Sequence, residues 1–394
     1  MVKERMLNQD IAYIYDPSQT IIKKKIQLRK DSIRVFLSFA DPHTQLSEED
    51  FARRFNFYYK ITEDYESAAL LHKDSVSFRA KDLIRNANVQ YLSFDIPKPA
   101  ISNSLLIVER YDHKRKIMDL IDIPLVHDSA SAENTFMIYD KKKGTPVLEN
   151  YILKNDSFRI KAANVQDYSG FRILGFGTNF QPSLNPYTIE DESENLEKVK
   201  PETEIAADLN QGFTFPSPGF YFLSAPESQA GFSLLAVDNK FPRLTRPEEM
   251  IGPLAYITTA REYARMKESL TPKFTLDSFW LSIGGSEEYS KKLIKTYYQK
   301  VEYANRSFTS YKEGWKTDRG MIYIVFGKPD AVYRHNDQEE WDYENVNENS
   351  LTFSFRKRND LYSNDDDYEL VRKPVYEAYW KFMVEKWRKG NIIK

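Results

Sequence analysis

The chain has 394 residues, too many for one hydrophobic core, so two to four domains are expected. Its 56 basic and 58 acidic residues leave a net charge of −2, which gives no overall attraction to nucleic acid or to an anionic membrane surface. There is no cysteine, which excludes disulfides, thiolate metal sites and a cysteine nucleophile. No apolar run reaches the roughly 18 residues that a bilayer-spanning helix needs. The 26 tyrosines and 25 phenylalanines favour pleated, half-buried surfaces, and the 14 glycines are too few for a flexible or collagen-like chain.

Residues 1–25 read as a polar N-terminal tether. Met1-Val2-Lys3-Glu4-Arg5 has no apolar h-region, so this stretch is not a secretory signal. Either the protein is cytosolic, or an export signal has been removed, as in a lipoprotein cut just after its lipidated cysteine. Lys23-Lys24-Lys25 reads as a solvated strand edge that discourages edge pairing, in preference to a membrane or nucleic-acid contact. From 26 to 127 the hydrophobic period is two. Ile33, Val35, Leu37 and Phe39 alternate with more polar neighbours, as do Phe55, Phe57, Tyr59 and Ile61. Further extended runs at Val89–Phe94, Ser104–Arg110 and Lys116–Leu125, separated by turn signals, predict a β-sandwich-like module.

Residues 128–250 predict a second such module, with strands at Thr135–Tyr139, Val147–Leu153, Ser157–Ala162, Gly170–Gly175, Gly219–Ser224 and Gly231–Val237. Between them, Ile189–Asp208 carries eight acidic residues and two lysines and reads as a solvated acidic loop. A linking segment, 251–273, follows. Gly252-Pro253 opens a helix expected to run through Leu254–Leu270, and Thr271-Pro272 stops it.

The last unit, 274–394, has a different character: all five tryptophans (280, 315, 341, 380 and 387) lie in it. Short helix Thr275–Ile283 precedes a long one from Glu287 to about Phe308, whose buried face carries Ile294, Tyr297, Tyr298, Val301 and Ala304 at 3.6 spacing. Met321–Phe326 is apolar on both faces and reads as a central strand. Gly327-Lys328-Pro329-Asp330 turns the chain. Strands follow at Glu339–Glu344 and Leu351–Phe355, and a closing helix spans Pro374 to Gly390. The fold class is therefore multidomain: a β-rich N-terminal half, then an α+β unit of helices on a short antiparallel meander. That unit, with its own helices and sheet, is expected to fold alone from about Phe274.

Gly314-Trp315-Lys316-Thr317-Asp318-Arg319-Gly320, followed by the apolar run, Gly-x-Pro-Asp at 327–330 and Trp341-x-Tyr343, resembles the GWxTD domain family, in the family's own order. Each residue has a structural reading. Gly314 and Gly320 permit close backbone approach, Trp315 plugs the helix–sheet junction, and Thr317 and Asp318 fix a turn through local backbone N–H groups. Arg319 pairs with Asp318 or with a carboxylate of the Trp341 strand. Pro329, Trp341 and Tyr343 are further candidate contacts. A functional alternative makes Trp315, Asp318 and Arg319 a ligand-binding trio. The resemblance covers about a third of the chain. It implies an exported, often lipid-anchored cell-envelope protein of Bacteroidetes-like bacteria, with β-rich modules before the motif domain and no established activity. The meander bearing Gly-Lys-Pro and Trp-x-Tyr also resembles small lipoprotein subunits of the outer-membrane protein assembly machine, as fold-level analogy.

No reaction is legible. The five histidines (43, 72, 113, 127, 335) show no metal-ligand spacing, and there is no Gly-x-Ser-x-Gly elbow and no phosphate-binding loop. Gly175-Phe176-Gly177 lacks the third glycine of a dinucleotide loop. Asn364-Asp365-Asp366-Asp367 lacks the alternation of an EF-hand loop and reads as a solvated turn. The expectation is a non-enzymatic interaction or scaffold subunit of an outer-membrane-associated assembly. It sits in the periplasm, with other envelope proteins as partners, no cofactor, no nucleic acid, and the membrane reached only through an N-terminal lipid. The alternative is a carbohydrate- or peptidoglycan-binding protein, conceivably a hydrolase. Exposed aromatics beside paired carboxylates would favour the second reading, and aromatics used up in cores the first.

Overall fold

A computed structural model describes residues 11–392 apart from 66–68, 127–135, 163–170, 179, 190–197, 208–210, 216, 225–230, 336, 359–361, 363 and 365. The first module is a two-sheet sandwich. One sheet has the order β1-β2-β6-β5, from β1 (Ile21–Leu28), β2 (Ser32–Ala40), β5 (Ile84–Asn86) and β6 (Val89–Pro97). The other has the order β4-β3-β7-β8, from β3 (Phe55–Thr62), β4 (Leu70–Val76), β7 (Asn103–Asp112) and β8 (Ile117–Val126). The alternating residues meet between the sheets: Ile33, Val35, Leu37 and Phe39 pack on Phe57, Tyr59, Ile61, Leu106 and Val108. A short helix, α1 (Glu48–Arg54), plugs one end with Phe51.

In the second module, the antiparallel pair β9 (Phe136–Asp140) and β11 (Phe158–Ala162) covers one face of a five-stranded sheet. That sheet has the order β10-β15-β14-β12-β13, from β10 (Tyr151–Leu153), β12 (Phe171–Phe176), β13 (Thr203–Ala207), β14 (Gly219–Ser224) and β15 (Gly231–Val237). β14 is buried along its whole length. Tyr221 and Leu223 face the covering pair, whereas Phe220 and Phe222 pack against Tyr311 and Tyr362 of the C-terminal unit. The acidic loop is shorter than expected, since Thr203–Ala207 pairs with β12; 190–197 and 208 lie outside the described residues.

The C-terminal unit is helical, then α+β. The expected Leu254–Leu270 helix is broken into a 3-10 segment at Gly252–Tyr256 and α3 (Ala260–Lys267), preceded by a short helix not expected, α2 (Pro247–Ile251). Thr259 and Glu262 close a reciprocal capping box that starts α3 afresh, and Pro272 stands at the first turn of α4 (Pro272–Gly284). The long helix, α5, spans Glu287–Phe308, with Ser286 as its N-cap.

Met321–Phe326 is not a strand. It belongs to α6 (Asp318–Phe326), a helix buried on every side. A short all-apolar run is compatible with either state. Here Thr317 decides, because its Oγ1 accepts from the Gly320 N–H at 3.1 Å and caps a helix. The sheet forms without this segment, as a meander of β16 (Ala331–Arg334), β17 (Gln338–Val346), β18 (Asn349–Lys357) and β19 (Tyr368–Leu370). α7 (Tyr376–Arg388) closes the unit, Trp380, Met383 and Trp387 facing inward.

The described portion of the N-terminal segment is not a tether. Ala12–Tyr15 forms a 3-10 turn whose Ile11, Ala12 and Tyr15 belong to the C-terminal core. The Ile11 N–H donates to the Val332 carbonyl at 2.9 Å, and Tyr323 and Tyr303 donate to the carbonyls of Tyr15 and Ile14. The triplet is not a solvated edge either. Lys23 Nζ donates to the Arg306 carbonyl in the C-terminal unit, Lys24 reaches Asp122 in the first module, and Lys25 Nζ donates to the Glu149 carbonyl in the second.

The boundary at 274 therefore cuts through a core that also includes Ile251, Leu254, Tyr256, Ile257 and Met266. A fragment of residues 274–394 is expected to show a broad, non-cooperative thermal transition with weak near-ultraviolet circular dichroism. The full chain is expected to unfold cooperatively; a sharp transition in the fragment would restore the boundary at 274.

Candidate functional site

The motif begins where α5 ends. Gly314 N–H donates to Thr309 Oγ1 at 3.0 Å and Trp315 N–H to Asn305 Oδ1 at 3.0 Å, so the loop folds back on the last turn of α5. A Cβ at Gly314 would run into the Ala304 carbonyl, and one at Gly320 into the Gly314 carbonyl. Both positions need glycine because backbone passes against backbone. Trp315 lies edge-on to Tyr256, with ring centroids 6.3 Å apart, and the Tyr256 hydroxyl donates to the Trp315 carbonyl at 2.8 Å. Thr317 Oγ1 also donates to the Gly314 carbonyl at 2.8 Å, so a single hydroxyl closes the loop and caps α6.

Asp318 does not fix its own turn. Its Oδ2 accepts from the Leu370 N–H at 2.7 Å, and its Oδ1 from Arg372 Nη2 at 2.5 Å, which fastens α6 to β19. Arg319 turns the other way, into the molecule. Its guanidinium stands over the rings of Tyr368 (4.4 Å) and Phe308 (5.1 Å) and donates to the Asp366 carbonyl. Of the two pairings expected for it, the carboxylate of the Trp341 strand is the one formed: Glu339 Oε1 lies 3.6 Å from Nη1.

Glu339 is fully buried and serves four partners. Tyr15 donates its hydroxyl to Oε1 at 2.5 Å, and Trp341 Nε1 to the same oxygen at 2.7 Å. Arg334 donates to Oε2 through Nε at 2.8 Å and Nη2 at 2.6 Å. Arg334 also grips both oxygens of Asp122 on β8, at 2.9 and 2.7 Å, and Tyr65 donates to Asp122 from within the first module at 2.5 Å. The chain Arg319–Glu339–Arg334–Asp122 thus runs from the motif to the first sandwich, with the N-terminal Tyr15 inserted beside it. Burial alone would raise these carboxyls. The charges of Arg334 and Arg319 outweigh it and hold Glu339 below its ordinary 4.5, while Arg334 and Lys24 hold Asp122 below its ordinary 3.8. Burial, reinforced by Glu339, pushes the Tyr15 phenol far up, so it remains a donor.

The other named residues are structural neighbours. Trp341 is fully buried against Tyr15 at 5.0 Å, Pro329 is buried in the turn after α6, and Tyr343 donates to the Gly327 carbonyl at 2.9 Å. Trp315, Asp318 and Arg319 do not converge. Trp315 lines a cleft of about 570 Å³ against the end of β15 and Arg243–Glu249, whereas Arg319 lines a separate crevice of about 170 Å³. Asn364–Asp367 is not a solvated turn: Asn364 and Asp367 are buried, Asp366 borders the second crevice, and Asp365 lies outside the described residues. Glu339 and Asp122 were not singled out from the sequence. The signal for Glu339 was present, as a charge in register with inward-facing Trp341 and Tyr343 on one strand.

Compared with known proteins, residues 219–389 match the family model described as the GWxTD domain. No curated protein matches the chain. The match begins at β14, the strand buried on both faces, and so includes β14 and β15, two of the strands through which the second module meets the motif unit.

Two outcomes are expected from this geometry. Trp315→Ala should lower stability by about 3–5 kcal/mol, as for other buried tryptophans, read as a shifted midpoint in denaturant titration. Because Glu339, Asp122 and Asp366 titrate lower in the folded than in the unfolded protein, the unfolded state takes up their protons first. Their contribution is complete above the ordinary carboxylate range and is lost as pH falls through it toward the folded values. Glu339→Gln should destabilise by roughly 3–5 kcal/mol at neutral pH, as when a buried ion pair loses one partner, and the deficit should shrink toward acid. Unfolding titrations over a pH series check both the size and the slope.

Proposed function

We propose that this chain, which belongs to the GWxTD domain-containing proteins, is a non-catalytic interaction subunit of a bacterial cell-envelope assembly. It works in the periplasm beside the outer membrane, to which an N-terminal lipid holds it. The observation that carries the reading is that the motif's chemistry is used up internally: Asp318, Arg319 and Thr317 are buried, each with partners inside the protein. All five tryptophans are likewise buried, so none offers a stacking platform for a sugar. Among the exposed side chains of the helical layer, mostly charged, stand two large apolar ones: Leu270 is 99% exposed and Phe274 72%. Exposed apolar side chains of this kind suit a protein partner.

The test is to fractionate cells expressing the native protein with its own export signal, and to crosslink before solubilising. A crosslinked complex in the outer-membrane fraction is expected. Phe274→Asp should reduce the complex without moving the unfolding midpoint. Recovery in the cytosol would contradict the compartment, and a lone monomer with every crosslinker length would contradict the assembly.

A further inference from the structure

The crevice beside Arg319 lies where the three modules meet. Its walls are the N-terminal turn, β1, β8 and the motif unit. Six basic side chains line it, Lys23, Lys24, Lys25, Arg319, Arg334 and Lys357, against two acidic ones, Asp122 and Asp366. The carboxylates nearby are shared. Asp122 accepts from both Lys24 and Arg334, and Glu339, behind the wall, meets both Arg319 and Arg334. Lys24 and Lys23 come from opposite faces of one strand end, yet both ammonium groups reach inward, to Asp122 and to the Arg306 carbonyl. The two guanidiniums, engaged by Glu339, Asp122 and Asp366, supply fixed positive charge, and two lysines supply compact donors that turn to suit a ligand.

The space is of the right order for a small ligand, about 170 Å³, beside the ~150 Å³ of an engineered cavity that admits benzene. It is open to solvent, since Asp366 on its wall is exposed and the Lys24 side chain keeps 30% exposure. Burial, with a smaller contribution from the neighbouring Arg334, pushes the Lys24 ammonium below its ordinary 10.5 despite Asp122.

We propose that this crevice binds a phosphate group, held by Lys24 and Lys23 beside the fixed charges of Arg319 and Arg334. A tetrahedral anion fits the set: it accepts several charge-assisted hydrogen bonds at once and offsets the surplus positive charge. Bound there, it would bridge β1 to the motif arginine and so tighten the junction of the modules. The proposal does not rest on the envelope reading.

The experiment titrates inorganic phosphate into the full chain at constant ionic strength, with chloride as the matched salt. Thermal unfolding and calorimetry are the readouts. Phosphate should raise the unfolding temperature with the logarithm of its concentration, beyond chloride, and give a saturable calorimetric isotherm. Lys24→Met should weaken the affinity by roughly tenfold or more, as for loss of one hydrogen bond to a charged group. Lys24→Arg should largely retain it, and Lys142→Met, on an exposed turn elsewhere, should leave it unchanged. Should Lys24→Met fail to fold, Lys23→Met and phosphorus line-broadening on the wild-type chain decide the matter.

A second arm uses phosphatidylcholine vesicles with and without phosphatidic acid. Lys24-dependent co-sedimentation with the acidic vesicles would make the source a lipid headgroup, and inorganic phosphate binding alone would make it the free ion. Equal stabilisation by phosphate and chloride, or an undiminished phosphate effect in the lysine variants, would overturn the proposal.

Discussion

One buried carboxylate organises the junction of this molecule. Glu339 has no access to water, and a lone ionised carboxylate in such a place would be strongly disfavoured. It is tolerated because Arg334 and Arg319 supply charge while Tyr15 and Trp341 supply hydrogen bonds, so both oxygens are occupied. Each partner comes from a different element: β16, α6, the N-terminal turn and β17 itself. Satisfying one anion therefore fixes the relative position of four segments, and through Arg334 and Asp122 that of the first sandwich as well.

Such an arrangement is costly to form and more costly to break. Replacing the set by apolar residues of similar volume is often neutral, whereas removing one partner strands a charge. The network is accordingly better understood as a device for specifying how modules fit together than as a source of net stability. The motif takes its place within that device. Its glycines let the loop pass against α5, its threonine starts α6, its aspartate holds β19, and its arginine faces the junction. The Trp315 ring faces the opposite side, packing on the 3-10 segment that the second module leads into.

The first sandwich was legible in the sequence because its strands bury one face, which imposes a period of two that a short window reveals. The long helix was legible to its ends, since Ser286 caps it and its inward face repeats at helical spacing. α6 was not, because a helix buried on all sides has no period to betray it, and a six-residue apolar run fits a strand as well. The N-terminal turn was misjudged for a different reason. Ile11, Ala12 and Tyr15 are too few to signal a core element alone, and their burial depends on grooves in a unit three hundred residues away. Of the site, the close backbone approach at Gly314 and Gly320 and the pairing of Arg319 with the Trp341 strand were among the expectations, whereas the reach of Asp318 to β19 was not. The partnership with Asp122 and Tyr15 was not, since long-range ion pairs leave no local pattern.

The motif arginine ties its own unit to the N-terminal turn and the first sandwich, and hydrogen exchange on Arg319→Met tests this most directly. Exchange is expected to quicken not only around α6 but also in residues 11–15 and along β1 and β8, all distant in sequence and joined through Glu339, Arg334 and Asp122. Exchange that quickens only near residue 319, with the N-terminal turn and first sandwich as protected as in the wild-type chain, would contradict it.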